Sequence, residues 1–159
     1  MIGSQAILGT FDEDDLPPGV TFSREADLAF WNDESNIKSD RVDGAIGEGS
    51  PFDEQFGYYA QGVSITTANL PWDWQSRLVR FDPLSGRPGV AWCLERHDLA
   101  LAKLAAGREK DYEYVHDLAD DANVDLNVML DRLESMAIAP VQISRVRRWI
   151  EVEQRRLAD

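Results

Sequence analysis

The 159-residue chain is poor in cysteine and histidine, with one cysteine, Cys93, and two histidines, His97 and His116. A single thiol excludes an internal disulfide and a cysteine-cluster metal site. Two imidazoles are too few for a histidine-rich metal centre. The apolar surroundings of Cys93 in VAWCL predict a buried thiol.

Long apolar runs are also missing, since no stretch approaches the roughly 20 apolar residues of a membrane-spanning helix. The start, MIGSQAILG, lacks the basic region and cleavage site of a secretory signal, so we expect a cytoplasmic protein without membrane association. No internal repeat or low-complexity segment is present, which excludes repeat architectures. A length of 159 residues predicts one self-sufficient domain over residues 1–159.

Basic residues are scarce: 16 Lys and Arg stand against 29 Asp and Glu, for a net charge of −13. Phosphate contacts need clustered cations, so the composition excludes a broad DNA-binding surface and favours a basic partner. Some cations gather near the C-terminus, where they could guide RNA, but a solvated helix face is the preferred interpretation. These are Arg145, Arg147, Arg148, Arg155 and Arg156.

The chain changes character near residue 96. Before it, Gly, Pro and aromatic residues separate apolar runs of strand length, namely ADLAF, GYYAQGVSI and GVAWCL. After it there is only one Pro and one Gly, and apolar residues recur at helical spacing. The sequence therefore predicts an α/β (α+β) fold, with a mixed sheet in a sheet-rich portion (1–95) followed by a helical portion (96–159).

Four helices are predicted in the second half. They cover His97–Ala106 and about Arg108–Ala119, and two more begin near Asp125 and Pro140. Asp98 suits the N-terminus of the first helix and Gly107 suits its end. The inward-facing residues of the other three are expected to be Tyr112, Val115, Leu118 and Ala119; Leu126, Met129, Leu130 and Leu133; and Val146, Trp149, Ile150 and Leu157.

Two acidic residues on a predicted strand form the first candidate site. Residues two apart in a strand point to the same side, so Glu25 and Asp27 would present two carboxylates together. Such a pair suits Mg²⁺ or Mn²⁺ with substrate phosphate oxygens, although it is also typical of a solvated strand face. The Gly3-Ser4 turn, about twenty residues earlier, could bring backbone N–H groups and a hydroxyl close to a triphosphate.

A cation in an apolar helix forms the second. Lys103 is the only polar residue in LALAKLAA, where it could simply mark the solvent-facing side. The charged run Arg108–Asp111 follows directly after Gly107, and it could equally be an exposed helix start. If the helix packs against the sheet, Lys103 and Arg108 could neutralise nucleotide phosphates whose metal is held by the two acids.

Three further side chains have two interpretations each. Trp72 and Trp74, in LPWDWQSRL, could stack on a base, but packing in the core or a lid is preferred. His97 could act as an acid or base, but a place at the start of its helix is preferred.

Several segments together resemble a known family. IGSQAILG, SREADLAFW, GAIGEGSPFDEQFGYYAQGVSITTANLPWDWQSRLV and CLERHDLALAKLAAGREKDYEYV are similar, in order over about residues 1–118, to a bacterial nucleotidyltransferase-like family. That family is related to the AbiEii-type toxins of toxin–antitoxin systems within the polymerase beta-type superfamily.

The resemblance implies a set of roles. Glu25 and Asp27 would hold Mg²⁺ (or Mn²⁺), and the glycine-serine motif would fall on Gly3 and Ser4. Lys103 and Arg108 would contact the phosphates of an NTP substrate, while Asp111 would orient the basic residues or serve as a base. The acceptor would be tRNA or a protein, and a cognate toxin or antitoxin is an expected partner.

The chain departs from the family pattern at two places. Active relatives carry a third carboxylate on a later strand, but here the candidate position holds Ser64 or Gln61; acids that could substitute are Glu48, Asp53 and Asp73. The helix that normally precedes Gly3 is absent, and only Met1 and Ile2 are available for a strand there. We therefore expect either an upstream start or a partner at that edge, and two functions remain open: transfer of a nucleoside monophosphate, or a non-catalytic binding component of a toxin–antitoxin or defence pair.

Overall fold

The computed structural model describes residues 1–81, 90–121 and 123–158. Its strands are β1 (Glu25–Leu28), β2 (Tyr59–Gly62), β3 (Val79–Phe81) and β4 (Ala91–Cys93). Its α-helices are α1 (Pro18–Thr21), α2 (Ile37–Ile46), α3 (Pro51–Phe56), α4 (Arg96–Ala106), α5 (Glu109–Asp120), α6 (Leu126–Leu133) and α7 (Pro140–Ala158). Short 3₁₀ helices lie at Ser4–Gly9, Glu13–Asp15, Ile65–Thr67 and Trp74–Arg77. None of the described helices has the length and apolar character needed to cross a membrane.

The strands form two small sheets joined by the start of the chain. β1 and β2 are parallel, and β3 and β4 are antiparallel. Between them, the Ile2 amide donates to the Asp27 carbonyl and the Leu94 amide donates to the Met1 carbonyl, both at 3.1 Å. The edge before Gly3 was expected to be unfilled. In the structure Ile2 is hydrogen-bonded to Asp27 on one side of this edge, and Met1 is hydrogen-bonded to Leu94 on the other.

The three predicted strand regions each contain a strand, though a shorter one. Of the run GVAWCL, the first residue, Gly89, lies outside the described residues. β3 was not predicted, because its three residues carry no alternation that sets them apart from the loop before them. The fold class is confirmed: small sheets in the first half precede helices in the second.

All four helices predicted in the second half are present, with one correction at a cap. Glu95, and not Asp98, caps α4: its carboxylate accepts hydrogen bonds from the amides of His97 and Asp98. The Asp98 carboxylate is buried on the inner side of the first turn of α4, where it contacts Arg77 and Arg132. At the other end Gly107 has φ of +73°, the left-handed conformation that suits glycine.

The inward-facing residues of α5 and α6 are buried or half-buried as expected. In α7, Val146 and Ile150 are fully buried and Trp149 packs against the core. Leu157 was expected to face inward, but it is 45% exposed. The helix extends past its last core contact, and the buried side chain nearest that end is Glu153, which pairs with His116 of α5.

Helices in the first half were not predicted. α2 has only one buried residue, Ser39, so it shows no apolar stripe from which a helix could be recognised. α3 carries its signals in its caps: the Ser50 hydroxyl accepts from the Asp53 amide, and Gly57 ends the helix with φ of +76°.

One hydrophobic core spans both halves of the chain, with α4 at its centre. Leu99, Leu101 and Leu104 are essentially inaccessible, and they pack in the same cluster as Ile7 of the first 3₁₀ helix. Cys93 is buried in this core, as predicted. This packing fixes the beginning of the chain against α4, which decides where the polar residues of both segments meet.

Candidate functional site

A cavity of about 710 Å³ opens beside β1, within the size range of small-molecule sites. Its walls come from β1, α1, the segment around Gly3, and the corner between α4 and α5. It is lined by six of the seven predicted site residues: Gly3, Ser4, Glu25, Asp27, Lys103 and Arg108. The seventh, Asp111, is fully buried behind the wall and contacts two of the others.

Glu25 and Asp27 both line this cavity from the same strand, as the alternation of side chains predicts. Burial raises the pKa of both carboxyl groups, and repulsion from Asp27 adds to the rise at Glu25. At Asp27 the charges of Lys103 and Arg108 oppose the rise without cancelling it. Neither carboxylate is ion-paired with any cation in the part of the chain that the structure describes.

Two acids near the start of α4, Glu95 and Asp98, are instead paired with cations. Asp98, which is fully buried, contacts Arg77 at 2.8 Å and Arg132 at 2.9 Å. Despite its burial, hydrogen bonds and charge from His97 and Arg132 lower the pKa of Glu95 to about 2. A partly desolvated carboxylate pair without a cationic partner therefore sets β1 apart, and unpaired groups of this kind in a cleft are typical of functional sites.

Gly3 is required for space and not for backbone conformation. Its φ of −83° is accessible to any residue. A Cβ atom built on Gly3, however, would overlap the carboxylate and the Cβ of Asp27. The absence of a side chain at Gly3 therefore allows Asp27 to lie directly against the backbone of the turn.

If the cavity holds Mg²⁺ and an NTP, as the sequence resemblance implies, Gly3→Ala should displace the Asp27 carboxylate and reduce that binding by about tenfold or more, the size of a lost charged contact. Because Asp27 can rotate toward the cavity, the free energy of unfolding should fall by less than about 2 kcal/mol. Calorimetry and urea unfolding measure the two effects. Gly44→Ala is the matched control, because nothing lies within 4 Å of a Cβ added at Gly44. Unchanged binding by Gly3→Ala would show that this contact does not matter.

Ser4, Lys103 and Tyr114 line the cavity together and contact one another. The Lys103 ammonium donates to the Ser4 hydroxyl at 2.9 Å and lies 4.2 Å from the centre of the Tyr114 ring. The Tyr114 hydroxyl donates to the Ser4 carbonyl at 2.8 Å. Burial lowers the pKa of Lys103, and its side chain is only 11% exposed. Lys103 is thus held in place and does not mark a solvent-facing side of α4.

The Asp111 carboxylate contacts both Lys103 and Arg108, the cations at the corner between α4 and α5. Its carboxylate accepts hydrogen bonds from the Arg108 side chain at 2.7 and 3.1 Å, and from the Arg108 amide at 3.3 Å. Lys103 lies 3.4 Å away. Although burial opposes the shift, these partners hold the pKa of Asp111 below its ordinary value. Of the two roles expected for Asp111, this geometry favours orienting the cations, because a buried and fully engaged carboxylate is a poor base.

Lys110 and Tyr114 are cavity residues that were not predicted as site residues from the sequence. Lys110 lines the cavity, and its charge acts on both Glu25 and Asp27. Its place in the charged run after Gly107 was a signal that could have been used. Tyr114 was missed because its contact with Ser4 joins residues 110 positions apart, which no local pattern shows.

Of the two residues considered for the third acidic position, only Gln61 lies at the cavity. It is aligned with Asp27 in the parallel pairing of β1 and β2, and it lines the cavity. Ser64 instead caps the 3₁₀ turn at Ile65–Thr67. Of the acids considered as substitutes, Asp53 is paired with Arg24 at 2.7 Å, and Asp73 accepts from the Ser76 hydroxyl at 2.7 Å. Glu48 is the one whose charge acts on Glu25, but it does not line the cavity.

The remaining candidates lie elsewhere. Trp74 stacks on Trp31 with ring centres 6.0 Å apart, in a smaller apolar cavity, and Trp72 is 81% exposed outside both. His97 accepts from the Asp125 amide at 2.9 Å and joins the starts of α4 and α6, as preferred above.

Arg145, Arg147 and Arg156, near the C-terminus, make contacts within the fold. Arg145 donates to the last carbonyls of α4, Arg147 pairs with Glu134, and Arg156 pairs with Glu153 and Asp120. His116, Asp120 and Glu153 lie close enough to hold a metal ion. Arg156 already balances both carboxylates there, so this cluster has a structural explanation.

A family model described as "Nucleotidyltransferase of unknown function (DUF6036)" matches residues 2–156. No curated protein and no solved structure matches the chain.

Proposed function

Because the chain belongs to the DUF6036 family of nucleotidyltransferases, we propose that it transfers a nucleoside monophosphate from an NTP to an acceptor hydroxyl, with Mg²⁺ or Mn²⁺ bound at Glu25 and Asp27. We further propose that it works as a single domain over residues 1–159 in the cytoplasm. The match identifies the family, while the reaction, the metal and the residues that carry them are inferred from the cavity.

The proposal rests on one observation: carboxylates and cations line the same cavity from different walls. Two unpaired carboxylates lie on β1, and three cations, Lys103, Arg108 and Lys110, lie on the α4–α5 side. A triphosphate with its divalent cation has the complementary pattern, because the metal meets the carboxylates while the phosphate oxygens meet the cations. The donor set of two carboxylates with room for water and phosphate oxygens fits Mg²⁺.

A divalent cation bound to Glu25 and Asp27 would polarise the α-phosphate and stabilise the charge that develops on it. The acceptor oxygen forms a bond to the α-phosphorus, the bond to the pyrophosphate oxygen breaks, and the hydroxyl proton is lost to water. Lys103 and Arg108 offset the charge of the departing pyrophosphate. Asp111 positions both cations from behind, while Gly3 lets Asp27 reach the site.

For the acceptor we propose tRNA or a protein, in a toxin–antitoxin or defence system with a cognate protein partner. This proposal is supported by the sequence resemblance of about residues 1–118 to a nucleotidyltransferase-like family related to the AbiEii-type toxins. The acidic total of −13 also favours a basic protein partner over DNA.

Incubation with each α-labelled NTP, Mg²⁺, and total tRNA or candidate proteins should transfer label to one class of acceptor. Glu25→Ala should transfer at least about 100-fold less, since one metal ligand is lost. Asp53→Ala is the matched control, because Asp53 pairs with Arg24 outside the cavity and should leave transfer unchanged. No transfer by the parent chain, with Glu25→Ala indistinguishable from it, would contradict the enzymatic proposal.

One observation favours a second function, a catalytically degenerate binding component. Gln61 faces the cavity beside Asp27, where active relatives are expected to carry an acid, so the site has two carboxylates and one neutral amide. This alternative predicts Mg²⁺-dependent NTP binding, or partner binding, without any transfer. Calorimetry and the transfer assay on the same preparations together separate the two, since an enzyme must both bind the NTP and transfer the nucleotide, whereas the binding component transfers none.

A further inference from the structure

Phe22 is a large aromatic side chain exposed at the cavity. It is 79% accessible, although aromatic rings normally contribute to cores. It lines the cavity that holds Glu25, Asp27 and Lys103. None of the ring pairs in the described residues includes Phe22, and at this exposure its ring is available to a planar partner.

The backbone that carries Phe22 is tied down on both sides. The Gln5 side-chain amide donates to the carbonyl of Ser23 at 2.5 Å and to that of Thr21 at 3.5 Å. The preceding helix α1 packs closely on α5, since a Cβ added at Gly19 would overlap the Asp117 carboxylate. The exposure of Phe22 is therefore a property of a fixed segment, joined through Gln5 to the turn that begins at Ser4.

The cavity has chemically different walls. β1, α4 and the start of α5 supply its charges, while α1 and the residue after it supply Gly19, Val20 and Phe22, which carry none. A nucleoside triphosphate is divided in the same way, with an anionic chain at one end and a flat base at the other. Bases stack on aromatic side chains with little dependence on base identity.

We propose that Phe22 is the platform on which the base of the bound NTP stacks, an inference that rests on the proposed function. The triphosphate then lies toward Lys103 and Arg108, and the base lies toward α1. Since stacking supplies most of the contact on this side, the site should accept several bases and not one alone.

The test is calorimetric titration of the full chain, in Mg²⁺, with ATP, GTP, CTP and UTP, and with inorganic tripolyphosphate as a ligand without a base. Phe22→Ala should weaken binding of each NTP by about tenfold, the size of a lost base–aromatic stack. Tripolyphosphate binding should stay unchanged, and Phe22→Trp should retain NTP binding. Trp72→Ala is the matched control, because Trp72 is equally exposed at 81% but lies outside the cavity.

Three results would overturn the inference. Phe22→Ala could bind NTPs as tightly as the parent, or it could lose tripolyphosphate in equal measure, or Trp72→Ala could show the same loss. In each case the parent still binds Mg²⁺–NTP, so the proposed function survives. A parent chain that binds neither NTP nor tripolyphosphate would overturn both proposals together.

Discussion

Asp27→Asn is expected to reduce nucleotidyl transfer by about 10³-fold, the several kcal/mol of barrier that a bound metal ion supplies. The amide keeps the shape of the side chain against Gly3 but removes the negative charge that is proposed to hold a divalent cation. Label transfer per unit time at saturating NTP measures the effect. The loss should appear mainly in kcat, with NTP binding weakened about tenfold as for Gly3→Ala, because the cations of the α4–α5 corner would still contact the phosphates.

The same substitution should stabilise the metal-free protein by about 1 kcal/mol, as is common when a strained functional group is removed. Burial raises the pKa of Asp27 in the folded state, and the nearby positive charge of Lys103 lowers it only in part. A raised pKa means that the folded state holds its proton longer, so stability falls as pH rises from the unfolded pKa through the folded one. Urea unfolding without metal at pH 7 and at pH 4 should show a larger gain for Asp27→Asn at pH 7.

Asp53→Asn is the control for this pair of measurements, because Asp53 lies outside the cavity and is paired with Arg24. It should leave transfer unchanged and gain no stability. If Asp27→Asn transfers as fast as the parent, the carboxylate of β1 holds no essential metal. If it is less stable than the parent at pH 7, the carboxylate is not electrostatically strained.

Asp111→Asn should lower the free energy of unfolding by about 3–5 kcal/mol, the usual cost of removing one partner from a buried ion pair. Its carboxylate is fully buried between Lys103 and Arg108 and also accepts the Arg108 amide. The amide would leave the largely buried Lys103 ammonium without its counter-ion. NTP binding should weaken as well, because the two cations lose the group that orients them. Urea unfolding at pH 7 and calorimetry measure the two losses.

The pH dependence at Asp111 has the opposite sign to that at Asp27. Its folded pKa is lowered, so its contribution is present above the unfolded pKa and is lost as pH falls through the folded value. The difference between parent and Asp111→Asn should therefore shrink in acid. Glu134→Gln is the control, because Glu134 pairs with Arg147 at the surface and such pairs contribute at most about 1 kcal/mol. Equal losses for the two variants would contradict a buried ion-pair role.

The candidate site was predictable where local patterns are strong. Alternation in a strand placed Glu25 and Asp27 on one side, and the isolated cation of an apolar helix marked Lys103. The cap at Asp125 and the glycine at position 107 marked helix ends correctly, because capping depends on a few neighbouring residues.

The rest depends on contacts that only the folded chain makes. Tyr114 and Phe22 gave no local signal, since Tyr114 meets Ser4 from α5 and the backbone on either side of Phe22 is held by Gln5. α2 was missed because a helix that buries almost nothing has no apolar period. The reason for Gly3 also differed: its backbone is ordinary, and the constraint comes from Asp27 across the turn.

The joining of the first residues to the end of β4 and to α4 and α5 has a consequence for how the chain reaches its folded state. Met1 meets Leu94, and Ser4 meets Lys103 and Tyr114, so the contacts that complete the cavity close loops of about 90 to 110 residues. Contacts of such long range slow folding, because the entropy of loop closure is lost before they form. A nascent chain on the ribosome has no assembled cavity until α5 has emerged from the exit tunnel.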